Sequence, residues 1–240
     1  MTLAAFHRLC PECGTNPPTA RDGFCNGCRA LYPSGAAANA SAAEQHVKRI
    51  VGPTILMGDG AYFDFECPDA SGMTIEDYAW GLASNARFRG QTRLPSGKRC
   101  LFNVAQHCVV LAWQMEADGH SPAAVYEGLM HESDEVPWGD FPGPAKVLLG
   151  ADTKALIKRA GDAIDRHFGV TGQFKDLVKQ YDIRMLATEK RDLMPHSGAH
   201  SWSWTRGYEP FEFQLFPWTA EAAAEEFVSA YHHYRSKAHD

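Results

Sequence analysis

The length, composition and charge of the chain already exclude several classes of protein. With 240 residues, 45% apolar and 11% aromatic, the chain can bury a sizeable core, which excludes wholesale disorder. Its 23 Lys and Arg against 29 Asp and Glu give a net charge of −6, which argues against a surface that coats nucleic acid or an anionic membrane. Without an apolar run near the ~18 residues of a membrane span, or a signal-peptide pattern, we expect a cytoplasmic protein with no membrane partner.

Four of the seven cysteines form two C-x-x-C pairs near the N-terminus. Such pairs each present two thiolates on one side of a turn, and two pairs complete a tetrahedral Zn²⁺ shell. We therefore predict a zinc-ribbon-like module over residues 1–33, with one structural Zn bound by Cys10, Cys13, Cys25 and Cys28. Residues 34–53 are rich in small side chains and are predicted to be a linker. A nucleic-acid partner could bind only through the ribbon, whose charges are nearly balanced.

The remaining residues, 54–240, are predicted to form one all-α domain that begins with a small β-hairpin. Apolar and aromatic residues flank a Gly-Asp-Gly turn within residues 55–65, which indicates the hairpin. Apolar residues then recur at helical spacing, with Thr74, Ser121 and Asp152 as expected N-caps. The predicted helices cover residues 74–86, 103–117, 123–133, 152–168, 174–194 and 219–235.

Polar residues interrupt three of these helices where apolar residues are expected. His107 lies in an apolar run, where a lone histidine is more often a hydrogen-bonded core residue than a ligand. His131, Glu132 and Glu135 end another apolar helix, on which His131 and Glu135 would share a face. These acids form either a solvated helix end or the carboxylates of a cation site. Asp182 lies on an apolar helix face and needs a partner. Two imidazoles and two carboxylates suit zinc or a transition metal.

Four segments together resemble the HD-domain phosphohydrolases. The resemblance is to the branch of 5′-deoxynucleotidases and phage-type deoxynucleotide (dATP) phosphohydrolases, and it spans about residues 55–234. The segments are ARFRGQTR at 86–93, NVAQH at 103–107, HESDEVPWGDFPGPAK at 131–146 and DIRMLATE at 182–189. It implies an HD-domain helical bundle over residues 54–240, and the N-terminal ribbon lies outside the common core of the family.

The resemblance also implies one catalytic divalent metal ion. The candidates for this ion are Mn, Co, Zn and Mg. Its implied ligands are His107, His131, Glu132 and Asp182. Glu132 departs from the family pattern, which has Asp at the second position of the His-Asp pair. The extra methylene moves this carboxylate outward by about 1.5 Å unless the backbone adjusts.

The remaining implied roles concern the substrate. Glu135 is the implied acid/base for the attacking water, and Asp140 orients the sugar or a water. Arg87 and Lys146 are implied to hold phosphate. Phe88 occupies the position of a bulky side chain beside C2′ of the sugar, which would exclude ribonucleotides.

The expected function is hydrolysis of a 5′-deoxynucleotide, and two reactions stay open. A dNMP would give deoxynucleoside and phosphate, whereas a dNTP such as dATP would give deoxynucleoside and triphosphate. Four cations before His107 could hold a triphosphate, namely Arg89, Arg93, Lys98 and Arg99. The alternative is a catalytically weak nucleotide-sensing HD module whose ribbon docks a protein or nucleic acid. Since family members often self-associate, a homo-oligomer is also expected.

Overall fold

The computed structural model describes residues 53–195 and 202–238. The predicted zinc site of Cys10, Cys13, Cys25 and Cys28 lies outside these ranges, as does the predicted linker up to residue 52. The three-part division of the chain therefore stays a prediction. The described part is mostly helical and carries one two-stranded antiparallel sheet.

The sheet is the hairpin that the sequence predicts. Strand β1 (Thr54–Leu56) pairs antiparallel with β2 (Tyr62–Asp64), with Ile55 opposite Phe63. Its turn includes Gly60 at φ 89°, a left-handed conformation that glycine adopts without strain. Phe63 points into the core and is 1% exposed, so the hairpin packs on the helices through this side chain.

Eight α-helices follow the hairpin within the described residues. Their bounds are α1 (Ile75–Ala83), α2 (Val104–Ala117), α3 (Pro122–Leu129), α4 (Glu135–Trp138), α5 (Gly143–Leu148), α6 (Ala151–Phe168), α7 (Lys175–Leu193) and α8 (Ala220–Ala238). None of these helices combines the length and apolar character that a membrane span requires.

Helix starts mostly follow the local sequence. The Thr74 and Ser121 hydroxyls accept hydrogen bonds from Asp77 N and Ala124 N, so both predicted N-caps are confirmed. The prediction for Asp152 is wrong, because α6 begins at Ala151 after Gly150 and no side chain caps it.

The core lies where α1, α2, α3 and α8 pack against one another. Tyr78 is fully buried and stacks on Phe227, with ring centroids 5.4 Å apart. Phe168 packs edge-on against Tyr78 from α6. Helix α7 lies against α2 and α3. This packing brings together three elements, α2, α7 and the segment after α3, on which the polar residues of interest lie.

The helix predicted over residues 123–133 ends early, at Leu129. Residues 130–134 form turns, and α4 begins at Glu135. The Tyr78 hydroxyl donates to the carbonyl oxygen of Met130 at 2.8 Å, and the Ser133 hydroxyl donates to the same oxygen at 2.8 Å. The Met130 carbonyl oxygen is therefore satisfied by two hydroxyl groups, instead of by a backbone N–H group of a continuing helix. The prediction that His131 and Glu135 share one helical face is therefore wrong.

We predict that Tyr78→Phe destabilises the protein by about 1 kcal/mol, since it removes a buried hydrogen bond while leaving the ring in place. Urea unfolding measures this free energy. Tyr62→Phe is the matched control, because Tyr62 is 45% exposed, and its free energy of unfolding should equal that of the wild type. Equal stability of Tyr78→Phe and wild type would contradict a role of this hydroxyl in holding the turn.

Candidate metal centre

Two histidines face each other at the centre of the candidate site. His107, on α2, is fully buried, and its Nδ1 lies 2.5 Å from Oε1 of Glu189. His131, on the turn after α3, has its Nδ1 2.7 Å from the carbonyl oxygen of Gly128. Each Nδ1–H donates to an oxygen, so each Nε2 is left with a lone pair. The two Nε2 atoms are 3.3 Å apart. Two lone pairs at this distance need a proton or a cation between them.

Two carboxylates complete a ring of donors around this point. Oδ1 of Asp182 lies 3.4 Å from Nε2 of His107 and 4.0 Å from Nε2 of His131. Oε1 of Glu132 lies 3.6 Å from Nε2 of His131. The four donor atoms all lie within 4.8 Å of one another. A metal held about 2.1 Å from each ligand places neighbouring donors roughly 3.0–3.4 Å apart, so the four residues fit a divalent cation after small side-chain shifts.

The turn explains how Glu132 joins the cluster beside its neighbour. On an α-helix, adjacent side chains point about 100° apart and do not meet. Residues 130–134 are not helical, and the carboxylate of Glu132 reaches the same point as the ring of His131. The additional methylene of Glu132, compared with the Asp of the HD pattern, is thus accommodated within the cluster.

Burial and neighbouring charges shift the pKa values of the four cluster residues when no cation is bound. Burial alone would lower the pKa of His107, but Glu189 and Asp182 raise it to about 9. Burial lowers the pKa of His131 to about 4, which keeps this ring neutral. Burial and the neighbouring Asp182 charge raise the pKa of Glu132 to about 7. Asp182 has its pKa well below the usual range, because the His107 hydrogen bond and charge outweigh burial.

A further carboxylate, that of Glu135, lies beside the cluster at the start of α4. It is 2% exposed, and its Oε1 accepts a hydrogen bond from Nζ of Lys146 at 3.0 Å. Its Oε2 is buried with no hydrogen-bond partner among the described residues. Burial and the charge of Glu132 raise the pKa of Glu135 to about 9. Glu135 therefore binds a proton more strongly than a free carboxylate does, and one of its oxygens is available to a ligand.

Arg87 is the buried cation of the site. It is 8% exposed, and its Nε and Nη2 each lie 3.0 Å from Oε2 of Glu189. Its Nη1 lies 3.7 Å from Oε1 of Glu132. The next two residues, Phe88 and Arg89, have φ of 53° and 54°. Non-glycine residues rarely adopt this left-handed conformation, so the backbone beside Arg87 is strained, as is common at functional sites.

Glu189 was not among the site residues predicted from the sequence. It is fully buried on α7, seven residues and about two helical turns beyond Asp182. That spacing puts both carboxylates on one face of α7 and is the sequence feature that would have identified it.

The cluster opens into a cleft with a volume of about 1350 Å³. Its lining includes further predicted site residues, namely Arg87, Phe88, Glu135, Asp140 and Lys146. Phe88 contacts Trp202 on this wall, with ring centroids 5.7 Å apart. The four cations suggested for a triphosphate, Arg89, Arg93, Lys98 and Arg99, do not line the cleft.

Comparison with known proteins gives the family of the chain without an activity. No protein-family model matches the chain. The chain is 30% identical over 134 residues to the uncharacterized protein YfdR of Escherichia coli (strain K12). The matching region covers 56% of this chain and 68% of YfdR. This chain and YfdR belong to one family. The chain thus spans about two thirds of the length of this relative.

We predict that Mn²⁺ binds the cluster more tightly as the pH rises from 6 to 8. Metal ligands must be deprotonated, and the pKa of about 9 for His107 means that a bound metal displaces one proton in this range. The affinity should therefore rise about tenfold per pH unit, and more steeply below pH 7, where Glu132 is also protonated. Isothermal titration calorimetry at several pH values measures this dependence.

His131→Ala should abolish Mn²⁺ binding. The matched control is His233→Ala, which removes a half-exposed histidine on α8 and should leave binding unchanged. Binding that persists in His131→Ala, or that does not depend on pH, would contradict the assignment of the cluster as the metal centre.

Proposed function

We propose that the chain is an HD-domain phosphohydrolase that hydrolyses the 5′-phosphate ester of deoxynucleotides. The observation that carries the proposal is the arrangement around the four-donor cluster. A buried arginine, a lysine and a carboxyl group of raised pKa surround it, and all of them line one cleft. Phosphate-ester hydrolysis needs charge neutralisation on the phosphate, an activated water and a proton for the leaving oxygen.

A divalent cation held by His107, His131, Glu132 and Asp182 would supply Lewis-acid activation of water and of the phosphoryl group. The residues of the chain account for the other requirements. Nη1 of Arg87 and Nζ of Lys146 are positioned to neutralise phosphate oxygens.

Glu135 is the proposed acid/base of the reaction. As base it accepts a proton from the attacking water, and as acid it passes this proton to the leaving 5′-oxygen. Its raised pKa suits proton donation, and its Oε2, which has no partner among the described residues, is the atom that would carry the proton.

The preference for a deoxyribose is proposed to depend on Phe88, with Asp140 orienting the sugar or a water from the same cleft. Packing of Phe88 against Trp202 restricts the motion of its ring, which supports a role as a fixed wall beside C2′. A ribose hydroxyl would then clash with the ring.

Both a monophosphate and a triphosphate substrate remain within the proposal. Because Arg89, Arg93, Lys98 and Arg99 do not line the cleft, a triphosphate would depend on other cations. Lys154 and Lys175 line the cleft and form no ion pair with any described residue, so they are the candidates.

We predict that the purified protein with Mn²⁺, Co²⁺, Zn²⁺ or Mg²⁺ releases deoxynucleoside from at least one dNMP or dNTP. Glu135→Gln should reduce the rate by about 10²–10⁴-fold, the usual contribution of a general acid/base. Chromatography measures the nucleoside and distinguishes phosphate from triphosphate as the second product.

Glu225→Gln, which changes an exposed glutamate on α8, is the matched control and should retain the full rate. If no metal and nucleotide give turnover but nucleotides still bind, the proposed enzymatic activity is overturned and the nucleotide-sensing alternative is favoured. Full activity of Glu135→Gln would reject the role of this residue.

A further inference from the structure

Glu189 binds two functional groups at once. It is fully buried on α7, and both of its oxygens are used. Oε1 accepts from Nδ1 of His107 at 2.5 Å, whereas Oε2 accepts from both Nε and Nη2 of Arg87 at 3.0 Å. The two partners are distant in sequence, 82 and 102 residues before Glu189. This one carboxylate therefore joins α7 to α2 and to the strained turn that begins at Arg87.

The contact with His107 decides which ring nitrogen faces the cluster. A neutral imidazole carries its hydrogen on one nitrogen, and the hydrogen-bond acceptor selects which one. With Nδ1–H donating to Glu189, the lone pair of His107 is on Nε2, the atom 3.3 Å from Nε2 of His131. Rotation of the ring would remove this donor from the cluster.

The contact with Arg87 decides which edge of the guanidinium faces the cleft. Nε and Nη2 are directed to Glu189, and Nη1 is left on the side of Glu132 at 3.7 Å. A guanidinium is planar, so fixing two of its nitrogens fixes the third. Glu189 thus holds in place the nitrogen to which the proposed function assigns phosphate binding.

We propose that Glu189 is the positioning residue of the site, which couples cation binding at His107 to anion binding at Arg87. The inference rests on the metal centre of the proposed function. Glu189 acts through its two partners, and neither the cation nor the phosphate needs to touch it.

The chemistry of glutamine makes Glu189→Gln a selective test. A carboxylate offers two acceptor oxygens, whereas an amide offers one acceptor and one NH₂ donor of nearly the same shape. Either His107 or Arg87 must then face a donor. The variant keeps the volume of the side chain and removes one of the two contacts together with the negative charge.

The first experiment titrates the full chain with Mn²⁺ and measures its dissociation constant. Mn²⁺ is chosen because it prefers oxygen ligands such as carboxylates over thiolates, so the predicted cysteine site does not interfere. Glu189→Gln should weaken Mn²⁺ binding by about 10–100-fold, the effect typical of losing an outer partner of a histidine ligand. Binding of inorganic phosphate to the Mn²⁺-loaded protein should weaken as well.

Glu127→Gln is the matched control for a buried glutamate with a structural role. Glu127 is 6% exposed and accepts three hydrogen bonds at the start of α7, from Oγ1 of Thr171 and the backbone N–H groups of Gln173 and Phe174. This control should lower the melting temperature while leaving the Mn²⁺ dissociation constant within about twofold. Equal Mn²⁺ affinity in Glu189→Gln and wild type, or equal losses in both variants, would overturn the proposal.

A second measurement needs no substitution and keeps the proposal testable if Glu189→Gln does not fold. NMR spectra of ¹⁵N-labelled histidines in the Zn²⁺-loaded wild type report which ring nitrogen of His107 carries hydrogen. Protonated Nδ1 supports the proposal, and a His107 protonated at Nε2 overturns it. Neither readout depends on turnover. A protein whose Mn²⁺ affinity depends on Glu189, but which hydrolyses no deoxynucleotide, would therefore refute only the proposed function.

Discussion

The close approach of two imidazole Nε2 atoms inside a helical core is the constraint on which the rest of the site depends. Their separation of 3.3 Å puts two lone pairs at one point, between the fully buried ring of His107 and the partly buried ring of His131. An unpaired buried acceptor is costly, so this arrangement requires a positive charge between the rings. Glu132 and Asp182 supply the negative charge that would accompany a divalent cation.

The fold holds this arrangement from several sides. His107 belongs to a helix of the core, whereas His131 belongs to a turn whose first carbonyl oxygen is bound by Tyr78 and Ser133. Asp182 and Glu189 project from one face of α7. Since these elements pack independently of the cleft, the donor atoms are positioned before any ligand binds, which lowers the cost of organising the site.

The cleft side of the site has a different character. Arg87 lies next to two residues in left-handed conformations, and Lys146 is carried by α5, a helix without buried residues. Lys146 reaches the site through its ion pair with Glu135, at 3.0 Å. The metal donors are thus held rigidly, whereas Lys146 is carried by a helix with few buried contacts. Because few buried contacts permit local mobility, Lys146 is the charged group that would shift when an anion binds.

Much of this organisation could be predicted from the sequence, for identifiable reasons. Strong amphipathic periodicity and polar caps such as Thr74 and Ser121 gave the helices and several of their starts. His107, Asp182 and the acidic segment after α3 were found because polar side chains in apolar runs are anomalous. The choice of Glu132 as the ligand in that segment came from the resemblance to the HD-domain family. The end of α3 at Leu129 could not be predicted, because Gly128 lies inside the helix, no Gly or Pro follows in residues 130–134, and the distant Tyr78 hydroxyl holds the turn. The left-handed Phe88 and Arg89 likewise carry no local indication, and the partners of Glu189 lie far away in sequence.

The most direct test of the central claim is a crystal structure of the Mn²⁺-soaked protein with anomalous diffraction data. We expect an anomalous peak between the two Nε2 atoms, about 2.2 Å from the nearest atoms of His107, His131, Glu132 and Asp182. Absence of a peak at this position in a crystal that contains Mn²⁺ would contradict the metal centre, and with it the function built upon it.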